Sequence, residues 1–229
     1  MKRIGILGGV SAESTASYYL AITREYIRRF GDTGYPEILI HSVSFREYAE
    51  LQHAGEWEEL AARMGEVFQI LARVGADFGL IAANTLHIVF EKVQARSPIP
   101  LLSIVDATAS AVAEAGLTIV GLLGTKFTME KPFFRHGLAR QGIRALVPEA
   151  PEREFIHRVI YEELVRGVVE EGSRRRVLEI IEELARRGAQ GVILGCTELP
   201  LLIRPEDTPL PLFDTAKIHA LAALDWALR

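Results

Sequence analysis

The chain has 229 residues, 49% of them hydrophobic and 24% charged, with a formal net charge of −4. That length suits one large or two small domains, with a core sizeable enough to need neither a disulfide nor a structural metal. The charge is spread without long like-charge runs. This argues against a nucleic-acid binder, a class marked by a basic patch. The densest basic cluster, Arg174-Arg175-Arg176, reads as a solvated helix face.

Met1-Lys2-Arg3 runs straight into Ile4-Gly5-Ile6-Leu7-Gly8-Gly9, an apolar run too short for a signal segment and without a cleavage site. No stretch approaches the length of a membrane span, so the expected location is cytoplasmic, with no membrane partner. The one cysteine, Cys196, excludes an intramolecular disulfide and a CxxC site. Asn84 is the only asparagine, and Met numbers three beside abundant Glu and Arg. Such depletion of thermolabile residues points to a thermophilic source.

In chain order, Lys2 to Gly8 reads as a buried strand, Gly8-Gly9-Val10-Ser11 as a turn, and Ala12 to Phe30 as a long helix that Ser11 or Ser14 can cap. The glycine spacing fits neither GxGxxG nor the P-loop. A general anion site at the helix N-terminus is the better reading. A second strand at Glu37–Val43 leads into an expected loop holding Arg46 and Gln52. Glu56 to Val74 places Leu60, Met64, Val67, Phe68 and Leu71 on one helical face. A strand follows at Phe78–Ala83, then a helix opened by Asn84-Thr85-Leu86-His87, broken by Pro98 and Pro100, and a short strand at Leu101–Val105.

Then the pattern restarts. Val120-Gly121-Leu122-Leu123-Gly124-Thr125 resembles the first strand. Helix signals run from Thr128 to Gln141, a strand is expected at Ile143–Val147, and helices at Glu152–Glu170 and Ser173–Arg187. The strand ending at Cys196, the segment Pro211–Asp214 and a helix at Thr215–Leu228 complete the chain. Residues 75–87 align without a gap on 188–200, so that Ala83 falls on Cys196 and Asn84 on Thr197. Alternating strands and helices in two copies predict an α/β fold. The expectation is two pseudo-symmetric parallel-sheet halves, 1–104 plus 215–229 and 105–214, with the ligand cleft between them.

In such sheets ligands bind beyond the carboxyl ends of the strands. Four of these ends carry small polar residues leading into helices: Gly9-Val10-Ser11, Asn84-Thr85, Thr125-Lys126-Phe127-Thr128 and Cys196-Thr197-Glu198. Their backbone N–H groups favour a carboxylate or enolate. A helix N-terminus lowers a thiol pKa, and Glu198 opposes this if it faces the thiol; the bland alternative for Cys196 is a small buried hydrophobe. Asn84, Thr85, Thr125 and Thr128 are helix caps or ligand contacts. Lys126 pairs a carboxylate or points to water, Arg46 is a charge partner or a solvated loop residue, and His87 is a structural residue or a base. The histidines show no metal-binding pairing, so no metal is expected.

Gly-Gly-x-Ser-x-Glu-Ser-Thr at the start, Asn-Thr-x-His after the third strand and Gly-Cys-Thr-Glu near the end resemble the aspartate/glutamate racemase family. Leu-Leu-Gly-Thr-Lys-Phe-Thr-Met (122–129), residues 159–164 and Pro-Leu-Phe-Asp-Thr-Ala (211–216) extend the resemblance over the whole chain. It implies a cofactor-independent isomerase, homodimeric, built of two α/β halves and acting on aspartate, glutamate or a similar small carboxylate. It also implies two cysteines on opposite faces of the substrate Cα. Cys196 matches one of them, and Ala83 stands where the other belongs, as in homologues with Ala-Asn-Thr. Ser11, Gln52, Asn84, Thr85, Thr125, Lys126, Thr128 and Thr197 are the expected substrate contacts, Gln52 through family position alone. A methyl group neither accepts nor donates a proton. The expectation is therefore one-thiol chemistry, with racemisation weakened or diverted to decarboxylation or isomerisation, or a ligand-binding relative without turnover.

Overall fold

A computed structural model describes residues 1–229. The chain forms two compact units, Met1–Ile104 with His219–Arg229 and Val105–Ile218. The first is built from β1 (Ile4–Gly8), α1 (Ala12–Phe30), β2 (Ile38–Ser42), α2 (Phe45–Ala54), α3 (Trp57–Arg73), β3 (Phe78–Ile81), a 3₁₀ turn at Thr85–Val89, α4 (Phe90–Gln94) and β4 (Leu101–Leu102). Its four strands are parallel in the order β2-β1-β3-β4. Every residue of β1 and β3 is buried. Central parallel strands covered on both faces need such continuous apolar runs.

The second unit contains α5 (Ile104–Glu114), β5 (Ile119–Gly124), α6 (Lys126–Glu130), α7 (Pro132–Ala139), β6 (Arg144–Leu146), α8 (Ala150–Glu162) and α9 (Glu171–Arg186). It ends with β7 (Val192–Gly195), α10 (Leu199–Leu202), β8 (Leu212–Asp214) and the start of α11 (Thr215–Ala227), which finishes in the first unit. The strands are again parallel, in the order β6-β5-β7-β8. This is the order of the first sheet. No helix is long and apolar enough to cross a membrane.

The two halves share packing devices as well as topology. A Cβ at Gly5 on β1 would meet Ala76 Cβ at 3.0 Å and Leu71 Cδ1 at 3.3 Å; one at Gly121 on β5 would meet Leu184 Cδ1 at 3.0 Å. In each unit a glycine in the central strand lets the last leucine turn of a helix, α3 or α9, lie on the sheet. Both helices then turn through a glycine at positive φ, Gly75 (97°) and Gly188 (99°). The residue two further on in each half accepts at the start of the central strand: the N–H of Arg3, just before β1, donates to Asp77 Oδ2 at 2.6 Å, and Ile119 N–H, first in β5, to Gln190 Oε1 at 3.1 Å.

Several elements differ from what the sequence predicts. The expected loop with Arg46 and Gln52 is α2, which buries Tyr48 and Gln52 and stops at Gly55, φ 76°. The expected strand at Leu101–Val105 is cut to two residues because Ile104 already opens α5, a helix of small side chains with little periodicity to betray it. The run Thr128–Gln141 is two helices: Pro132 holds Lys131 extended, φ −72° and ψ 148°. The helix expected at Glu152–Glu170 ends at Glu162, and a 3₁₀ turn at Leu164–Arg166 closes on Gly167, φ 73°. The helix expected from Asn84 begins instead as the 3₁₀ turn at Thr85–Val89.

Candidate active site

Cys196 directly follows β7, and Gly195 sets how close that strand end comes to β5. A Cβ at Gly195 would stand 2.7 Å from Leu123 O, and one at its register partner Gly124 would stand 2.7 Å from Gly195 O. The loop folds back tightly enough to bury Cys196 and Glu198, at 7% and 4% exposure. The thiol donates to Glu198 Oε2 at 3.0 Å, and Thr197 Oγ1 donates to the same oxygen at 2.8 Å. Burial, then the charge of Glu198 and its hydrogen bond, hold the Cys196 pKa well above the usual thiol range. Backbone N–H groups of Glu198 and Leu199 pull the other way and are outweighed. Of the two opposing influences that the sequence leaves open, the one from Glu198 prevails, because its carboxylate faces the thiol. Desolvation and a facing carboxylate win, and α10 is a single turn.

In the first unit Ala83, 8% exposed, lies two residues past β3. Leu7 pairs with Ile81 as Leu123 pairs with Leu194, so Ala83 and Cys196 stand at the same step beyond equivalent strands of order-equivalent sheets. Around Ala83 the backbone is tied by side chains. Ser14 Oγ donates to Ala82 O at 2.8 Å, and His87 Nδ1 donates to Ala83 O at 2.8 Å. His87 Nε2 accepts from Ile104 N–H at 3.1 Å. Both ring nitrogens of His87 therefore serve the backbone in the neutral Nδ1–H form. The ring is 3% exposed and ties the Ala83 turn to the start of α5.

The remaining expected residues sort by what they already hold. Ser11 caps α1 by accepting from Ser14 N–H at 3.3 Å. Asn84 and Thr85 are buried beside Ala83, and Asn84 makes no side-chain cap. Thr125 caps α6, accepting from Thr128 N–H at 3.2 Å. Thr128 is wholly enclosed, its side chain packed over Gly124 and Gly195, so it supports the strand ends. Lys126 Nζ pairs with Glu154 at 2.7 Å on the surface, Gln52 is buried on α2, and Arg46 is exposed.

One neighbour has no mark in the sequence. Tyr161, on α8, packs against the core group that contains Cys196. Its phenol pKa is pushed up to about 12, by burial first and then by Cys196 and Glu198. Chain distance gives no hint of this; the only signal is its i, i+4 spacing from His157, whose ring lies 4.7 Å away.

The model of the Asp/Glu/Hydantoin racemase family matches residues 7–223. The chain belongs to that family. A racemase-like protein of Yersinia pestis is 40% identical, with a TM-score of 0.93 and full coverage of both chains. An aspartate racemase homologue from Pyrococcus horikoshii OT3 is 38% identical, with a TM-score of 0.87, again with full coverage of both. The broad specificity amino-acid racemase RacX of Bacillus subtilis is 23% identical over 226 residues, covering 93% of this chain and 92% of that protein. The paired parallel four-stranded sheets are the α/β fold of this racemase family.

Proposed function

We propose that this family member is a cofactor-independent, racemase-type enzyme for aspartate, glutamate or a similar small carboxylate. In this reading Cys196 is the single thiol acid/base and Ala83 fills the place of a second thiol. The observation that carries the reading is the equivalence of Ala83 and Cys196 at matching steps beyond β3 and β7, with chemistry at one only. Proton transfer at Cα needs a group within hydrogen-bond reach of that carbon. At rest Cys196 is a thiol and donates to Glu198. To act as a base it passes that proton to the Glu198 carboxylate. The thiolate then takes the α-hydrogen, leaving an enediolate on the substrate carboxylate. Backbone N–H groups with Asn84, Thr85, Thr125 and Thr197 stabilise that charge, the larger catalytic contribution in such chemistry. Ser11 and Gln52 serve as outer contacts, whereas Lys126 must leave Glu154 to reach a ligand.

Ala83 also favours a second reading, a carboxylate-binding relative without turnover or a one-thiol decarboxylase or isomerase. One experiment separates them: deuterium uptake at Cα and enantiomer ratio, followed together for the unmodified protein and Cys196→Ala with aspartate and glutamate. The enzyme reading expects exchange with retention to outrun racemisation, and both to vanish in Cys196→Ala. A binder shows saturable thermal stabilisation and no exchange. Exchange that survives Cys196→Ala overturns the role of Cys196.

A further inference from the structure

Each half ties the helix after its fourth strand back to its third strand, and the two ties differ. In the second unit Thr215, first in α11, is wholly buried and its hydroxyl donates to Leu194 O on β7 at 2.9 Å. In the first unit the tie is made by His87. Its Nδ1 donates to Ala83 O at 2.8 Å, and its Nε2 accepts from the N–H of Ile104, first in α5, at 3.1 Å. In the ungapped alignment of 75–87 on 188–200, Leu194 matches Ile81 and His87 matches Pro200. The second-half tie therefore lands two residues short of Cys196, whereas the first-half tie lands on Ala83 itself. Proline has no side-chain donor or acceptor, so the second half has no counterpart of the histidine tie.

The His87 ring is fixed on its face and edge as well as at its nitrogens. It stacks on Phe90 of α4, with centroids 5.1 Å and planes 6° apart, and meets His219 of α11 edge-on at 6.0 Å. His219 in turn donates to Leu102 O at 3.0 Å and accepts from Tyr18 O–H at 2.8 Å. Residues 102–104, where β4 passes into α5, are thus gripped by two buried histidines, at Leu102 O and at Ile104 N–H. One of them also grips the turn after β3, which carries the buried Asn84 and Thr85. Ser14 Oγ, from α1, holds the preceding carbonyl, Ala82 O, at 2.8 Å. A turn pinned at two successive carbonyls has its direction set before a ligand arrives. Donors that are already aimed bind an anion without an ordering cost.

We propose that His87 is a positioning residue: through Ala83 O and Ile104 N–H it holds the turn at Asn84 and Thr85 in the orientation that receives the substrate carboxylate. The assignment rests on the reading that this turn contacts a small carboxylate. Its signature is a loss of binding rather than of chemistry. His87→Phe keeps a ring against Phe90 and removes both hydrogen bonds. It should raise the concentration of aspartate or glutamate that gives half-maximal α-hydrogen exchange about tenfold, with the maximal rate little changed. Asparagine at 87 keeps a donor for Ala83 O and is too short for Ile104, so His87→Asn should recover most of that loss. A histidine that only fills the core gives two variants that differ in melting temperature and share the parent's half-saturation.

Two measurements read the tie without substrate. Nitrogen NMR of the unmodified protein, with the His87 signal identified by its absence in His87→Asn, should show Nδ1–H, the opposite tautomer from His219 at Nε2–H. Amide deuterium exchange should quicken in His87→Phe at 82–86 and 103–106, and in His87→Asn at 103–106 alone. An Nε2–H tautomer of His87 overturns the proposal. So does amide exchange at 82–86 that His87→Phe leaves unchanged, or a half-saturation shared by the parent and His87→Phe. A parent that neither binds nor exchanges aspartate or glutamate refutes the racemase reading, and the tautomer and amide exchange still decide whether His87 holds the turn.

Discussion

The Cys196 thiol donates to Glu198 Oε2 across 3.0 Å, inside a loop that buries both side chains. The pair is biased toward S–H, because removing the proton would set two negative charges side by side without water. The unmodified protein should therefore alkylate slowly at neutral pH. Glu198→Gln keeps an acceptor for Thr197 but removes the charge. It should lower the thiol midpoint and raise the neutral-pH alkylation rate, about tenfold for each pH unit by which the midpoint falls. Its α-hydrogen exchange should fall nonetheless, since the group that takes the thiol proton is gone. A Glu198→Gln protein that alkylates no faster than the parent would show that burial alone sets the thiol.

The duplication can be read from the chain, because two glycine-bounded apolar runs with the same spacing repeat in it. Gly195-Cys196 and Ala82-Ala83 align without a gap, and their strands occupy equivalent places. The motif resemblance names the family that matches residues 7–223. Two things cannot be read there. One is the direction in which the Cys196 pKa moves, which depends on where the Glu198 carboxylate turns and how much water it excludes. The other is Tyr161, which α8 packs, half-buried, against the core group that includes Cys196. The α2 and α5 helices are hidden for local reasons. α2 is short and polar around Arg46, and α5 is too rich in small residues to show a face.

The paired glycines give a stability test of the duplication. Gly5 and Gly121 each sit under a helix leucine, Leu71 or Leu184, and an added methyl would stand about 3.0 Å from a carbon of the packed helix or its following turn. Overpacking of this kind costs about 1–3 kcal/mol. Gly5→Ala and Gly121→Ala should each lower stability by that amount in urea unfolding. If one is neutral while the other is damaging, the two helix–sheet contacts are not the matched devices their geometry indicates.

A buried histidine makes the first unit acid-sensitive. His219 on α11 accepts from Tyr18 O–H at Nδ1 (2.8 Å) and donates to Leu102 O from Nε2 (3.0 Å), so it is neutral when folded. Burial, then the neighbouring His87, lowers its pKa to about 3 from 6.5. The unfolded chain thus binds the proton more readily. The stabilising contribution is complete above pH 6.5, falls as pH drops below 6.5, and is spent near pH 3. At about 1.4 kcal/mol per pH unit, the loss is several kcal/mol. Urea midpoints measured across that window should fall with pH in the parent and fall less steeply in His219→Gln. Parallel slopes in the two proteins would assign the acid sensitivity to other groups.

The proposed one-thiol chemistry can be tested by adding a second thiol at Ala83. Ala83 is 8% exposed and stands at the step beyond β3 that Cys196 occupies beyond β7, with His87 and Ser14 fixing the local backbone through Ala83 O and Ala82 O. Ala83→Cys adds one sulfur to a backbone that is already held, so the fold should survive with little change in melting temperature. Racemisation needs a donor on one face of Cα and an acceptor on the other. If aspartate or glutamate is the substrate, Ala83→Cys should raise the racemisation rate toward the rate of α-hydrogen exchange, while exchange itself changes less. Under the proposed reading, the double variant Ala83→Cys, Cys196→Ala should exchange without racemising and prefer the opposite enantiomer to the parent. A parent that already racemises as fast as it exchanges would show that a second base is in place. His87 is not that base, since both its ring nitrogens are engaged with Ala83 O and Ile104 N–H.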